Sequence, residues 1–82
     1  MNLAVHVVRR TEVPMAFWVK DIEKISEDHP DLVSPNALGQ VQAKGETNHG
    51  VINETSLEDI IGRESLLKVQ KLYLSPEYAS LR

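Results

Sequence analysis

No cysteine occurs in the 82 residues, which removes disulfide staples, thiolate metal ligands and a thiol nucleophile together. Such a composition fits a reducing compartment, and the expected location is cytoplasmic. Aromatic residues are scarce, with one Trp, two Tyr and one Phe, so each has to be placed. The glycines Gly39, Gly45, Gly50 and Gly62 form neither a dinucleotide fingerprint nor a phosphate-binding loop. A Gly-x-Ser-x-Gly nucleophile turn is also missing. No run approaches the roughly 20 apolar residues of a membrane span, and the first residues do not read as a basic-then-apolar leader. Neither a cofactor nor a membrane is expected.

Basic charge is in short supply as well. The formal net charge is −3, which argues against a general nucleic-acid binder, whose affinity comes largely from neutralised phosphates. What is present is ordinary globular material, 41 % hydrophobic and 26 % charged, close to average usage. The length predicts one domain over residues 1–82. A chain of this size buries only about 60 % of its unfolded surface, so a partner subunit would add stability.

The hydrophobic pattern changes period near residue 13. Leu3, Ala4, Val5, His6, Val7 and Val8 form a continuous run that predicts a strand over about 2–9. From Pro14 the apolar positions Met15, Trp18, Val19, Ile22 and Ile25 take helical spacing, and a helix over 14–27 is expected with Pro14 at its first position. A strand at 13–19 followed by a helix near Asp21 is the competing reading. Ser34-Pro35 resembles a helix start, with Gly45 as a helix-ending glycine. Yet Gln40-Val41-Gln42-Ala43-Lys44 alternates as a half-exposed strand does. The expectation here is a hairpin, 39–44 with 49–54.

Thr55 and Glu58 make a capping-box pattern that opens the last helical segment. Its apolar residues form two stripes, Leu57, Ile60 and Ile61 against Leu66, Val69, Leu72 and Tyr73, with Gly62 between them. A bend or break near Gly62 would bring both to one core. Ser75-Pro76 ends the segment, leaving 75–82 as a tail free to move. The predicted fold is therefore α+β, a small antiparallel sheet packed by two helices in β-α-β-β-α order.

Chemistry-bearing residues are dispersed. His6, His29 and His49 have no metal-ligand spacing, and zinc needs three or four convergent ligands. His6, inside an apolar strand, is the one whose burial could alter its titration, although a bonded core histidine is the commoner outcome. Glu58 and Asp59 suit a first helical turn, where the helix dipole favours negative charge. Trp18 falls on the apolar stripe and is expected in the core. Phe17, off that stripe, is the better interface candidate.

Two stretches resemble known families. Leu74-Ser75-Pro76-Glu77-Tyr78-Ala79-Ser80-Leu81-Arg82 looks like the end of the second helix in small dimeric α/β-barrel proteins. That nine-residue likeness implies a small enzyme with His6 in an inter-subunit pocket. Val19-Lys20-Asp21-Ile22-Glu23 is similar to the first turn of glyoxalase-like modules, without the aromatic that should follow.

The leading expectation is a non-catalytic interaction or regulatory module, self-associating or bound to another protein. Its motive is more apolar stripe than one small sheet can cover, and its candidate interface is Phe17, Leu66, Val69, Leu72, Tyr73 and Tyr78. A DNA-binding regulator is the alternative: 56–74 reads as a helix-turn-helix, with Arg63, Lys68 and Lys71 as phosphate contacts.

Overall fold

A computed structural model describes residues 14–79. The expected strand at 2–9, with His6, and residues 80–82 lie outside the described residues. Among those described, strand β1 (Ala16–Trp18) leads into helices α1 (Val19–Asp28) and α2 (Pro35–Glu46). Strand β2 (Val51–Asn53) follows, then helices α3 (Glu54–Ile61), α4 (Arg63–Tyr73) and α5 (Pro76–Ala79). The class is α+β with a two-stranded antiparallel sheet, but the order and the number of helices differ from the expected β-α-β-β-α.

The helix expected over 14–27 begins only at Val19. Ahead of it, Ala16 and Trp18 point outward and Phe17 inward, the two-residue period of a strand. Ala16 pairs with Asn53, Phe17 with Ile52 and Trp18 with Val51. The strand-then-helix alternative was the nearer one. The Val19 N–H, an orphan at the helix start, donates to the Gly50 carbonyl at 2.9 Å. The cap of α1 thus comes from the chain entering β2, not from a side chain.

The hairpin of 39–44 with 49–54 does not form, because 35–46 is helical. Ser34 Oγ accepts from the Ala37 N–H at 3.1 Å, and Pro35 fills the first turn, where its missing N–H has no cost. Ala37, Val41 and Gly45, four residues apart, are the buried positions of α2. The alternation at 40–44 is one inward residue per helical turn. Strand β2 takes β1 as its partner instead.

The last segment is capped by Asn53 rather than Thr55, its Oδ1 accepting from the Ser56 N–H at 2.9 Å. Glu54 is tied to Met15 twice, its N–H donating to the Met15 carbonyl at 2.7 Å and its Oε1 accepting from the Met15 N–H at 3.0 Å. That link holds the helix start earlier than the Thr55–Glu58 pattern implies. The break at Gly62 is present, with φ +89°, a region open to glycine without steric cost.

Leu57, Leu66, Val69 and Tyr73 all reach one core with Phe17, Ile22, Ile25, Val33, Val41 and Ile52. Ile60, Ile61 and Leu72 pack partly buried against it. Among the described residues both stripes turn toward one core, Leu57, Leu66, Val69 and Tyr73 buried and Ile60, Ile61 and Leu72 covered in part. Tyr78 is buried too, and its hydroxyl donates to Asp28 Oδ2 at 2.7 Å, so the tail as far as Tyr78 is docked on α1. That hydrogen bond, followed by the charge of Lys24, holds the Asp28 carboxyl below the usual carboxylate range. Burial, then the same bond, pushes the Tyr78 phenol above its usual range.

Two tests follow from this packing. A methyl group at Gly45 would collide with the Val19 side chain, whereas Gly39 has open space around it. Gly45→Ala should cost about 1–3 kcal/mol, and Gly39→Ala should add up to about 1 kcal/mol. Urea unfolding distinguishes them, and equal effects would remove the packing role of Gly45. The second test uses pH. Because the folded pKa of Asp28 is depressed, its contribution is complete above the ordinary carboxylate pKa and lost as pH falls through the depressed one. The urea midpoints of wild type and Tyr78→Phe should differ more at about pH 7 than at about pH 2; a pH-independent difference would count against the bond.

Candidate interaction surface

Phe17 and Trp18 are adjacent on a strand, so only one can face the core, and the choice made by the fold is opposite to expectation. Phe17 is 1 % exposed and Trp18 is 51 % exposed. Phe17 packs edge-on against Tyr73, ring centroids 4.9 Å apart, while the Trp18 N–H donates to Tyr73 Oη at 3.3 Å. Both edges of the small sheet are plugged at this point. Tyr73 occupies the β1 edge at Trp18. On the other edge, Asn48 accepts from the Val51 N–H at 3.2 Å and donates through Nδ2 to the Val51 carbonyl at 3.1 Å. A partner adding a strand at this point would find its backbone groups already taken, which leaves side chains to make the contact.

Trp18 borders a cleft of about 580 Å³ between the start of α1 and the end of α2. Lys20, Glu23, Gln42, Glu46 and His49 also line it, together with Val19, Gly45 and Gly50. The absent side chain of Gly45 is what lets α2 approach Val19. The Gly45 carbonyl then accepts from the N–H groups of Asn48 at 3.0 Å and Gly50 at 2.8 Å. His49 (φ 57°) and Gly50 (φ 83°) reverse the chain; histidine is among the non-glycine residues that tolerate this region. Gln42 Nε2 donates to Glu23 Oε2 at 3.0 Å, joining the two walls.

The residues expected at an interface are brought together, but inside the molecule. Phe17, Leu66, Val69, Tyr73 and Tyr78 are core residues, and Leu72 packs against the core. Among the described residues the large exposed apolar groups are instead Trp18, Leu67 and Leu74. Arg63, Lys68 and Lys71 do lie on the exposed side of α4. Arg63 already faces Glu58 at 3.4 Å and Lys68 faces Glu64 at 3.9 Å. His29 ends α1, His49 lines the cleft, and His6 is outside the described residues. Among the described residues no three His, Cys, Asp or Glu side chains converge as a metal site requires, and no helix is long and apolar enough to cross a membrane.

Asp21 escaped the sequence reading. It is 3 % exposed, and its Oδ2 has no hydrogen-bond partner among the described residues. Its place in the first turn of α1 sets it in the favourable field of that helix.

No family model, curated protein or solved structure matches this chain.

The contrast between the two aromatics is measurable. Phe17→Ala should cost about 3–5 kcal/mol, as removal of a core phenylalanine does, and Trp18→Ala only a fraction of that. Comparable losses in urea unfolding would show that Trp18 is a structural residue and not a surface one.

Proposed function

We propose that the chain is a non-catalytic protein–protein interaction module whose contact surface is centred on Trp18. The observation that carries this reading is the half-exposed indole, the chain's only Trp, on the outer face of a sheet that buries its neighbour Phe17. A tryptophan presents roughly 150–250 Å². Covering the exposed half at about 25 cal/mol per Å² is worth about 2–3 kcal/mol. Tryptophan anchors of this kind dominate interface energetics. The late helical stripes add less support, since Leu57, Leu66, Val69 and Tyr73 are core residues of this chain.

The other readings have less behind them. For a DNA-binding helix pair, two of the three candidate cations on α4 are already beside carboxylates. Leu67 shares their exposed surface, and the net charge is unfavourable. The dimeric barrel enzyme needs a closed sheet, and among the described residues two three-residue strands form an open one.

Site-specific photocrosslinking tests the proposal. With p-benzoylphenylalanine in place of Trp18, irradiation of the protein in its native cells and after purification should give an adduct of one defined mass. Twice the chain mass in the purified sample identifies self-association, and a different mass in cells identifies another protein. The same label at exposed Asp59 on α3 is the control. Yields at position 18 no higher than at 59 would overturn the proposal.

A further inference from the structure

We infer that the Trp18 cleft is a receptor for a single cationic side chain, an arginine or lysine of a partner protein. This rests on the interaction reading above and adds the chemistry of what is recognised. Three features of the cleft converge on a cation. The first is the indole, whose π face attracts an ammonium or guanidinium, and tryptophan does so best among the aromatics. The second is the pair of carboxylates, Glu23 on the α1 wall and Glu46 on the α2 wall, against Lys20 and the imidazole of His49. Glu23 is held by Gln42, so part of its orientation exists before any ligand arrives. The third is the backbone that lines the cleft. The Val19 and Gly50 N–H groups are already spent on the Gly50 and Gly45 carbonyls, so these amides do not offer a nest to an anion.

The alternatives fit less well. An anion would meet Lys20 and His49 with two carboxylates in opposition. A purely apolar side chain would cover Trp18 but strip water from Glu23 and Glu46 without replacing it. A guanidinium meets both demands, because its plane stacks on an aromatic face while its N–H fork reaches a carboxylate. The negative net charge of the whole chain favours the approach of a basic partner segment.

The lone tryptophan makes the test specific, since its indole N–H gives one resonance. The probe is N-acetyl-arginine amide, with N-acetyl-citrulline amide as the neutral isostere. The arginine compound should displace the Trp18 indole resonance saturably and the citrulline compound should not. Glu23→Gln and Glu46→Gln should each weaken the arginine binding about fivefold, the effect of one exposed charge contact. Glu46 is exposed and Glu23 half-buried, and an otherwise unchanged amide spectrum shows that the fold is intact. Equal binding of citrulline, unaltered binding in both variants, or no saturable displacement by arginine would each overturn the inference. If position 18 crosslinks to a partner while arginine leaves the indole unmoved, the cation receptor fails and the interaction module stands. If neither occurs, both fall.

Discussion

The contact between Val19 and the bare α-carbon of Gly45 fixes more of this molecule than any other single approach. It lets the end of α2 come down onto the start of α1. It also puts the Gly45 carbonyl where the turn back toward the sheet can use it, and the turn delivers Gly50 to cap α1. Helix packing, chain reversal and the entry to β2 thus share one residue. The cleft beside Trp18 is a by-product of the same geometry, since its two walls are the helices that meet there.

The parts of the fold that were legible in the sequence are those set by local chemistry. Ile22 and Ile25 marked the buried face of α1, and both are fully buried. Gly62 marked a break between two apolar stripes, and both turn inward on either side of it. The Ser34-Pro35 start was also visible, but the alternation at 40–44 outweighed it. Only the burial of Val41 alone shows that stretch to be a helix with a narrow inward face. The errors at Phe17 and Asn53 have a different origin. Each depends on pairing between β1 and β2, residues some 35 apart in the register, and no local window carries that information.

The candidate surface was less legible than the fold, for a related reason. An aromatic or leucine stripe has the same spacing whether its own chain or another covers it, and here Leu66, Val69 and Tyr73 are covered from within. Assigning a helical period from Pro14 placed Trp18 inside and Phe17 outside. A strand period reverses both. Glu23, Gln42, Glu46 and His49 meet only once α1, α2 and the following turn have packed. Nothing about their positions in the chain advertises that meeting.

The distance along the chain between Trp18 and Tyr73, 55 residues, has a consequence for how the protein is made. During synthesis Phe17 emerges with Trp18, long before the tyrosine whose ring will cover it, and Asp28 precedes its phenol by 50 residues. Contacts so far apart in sequence form late and slow folding. Until Tyr73 has left the ribosome, the nascent chain carries Phe17 without the ring that covers it, in the form that attracts holding chaperones. Ribosome-bound intermediates cut short before Tyr73 are thus the stage at which this small protein is most vulnerable to aggregation.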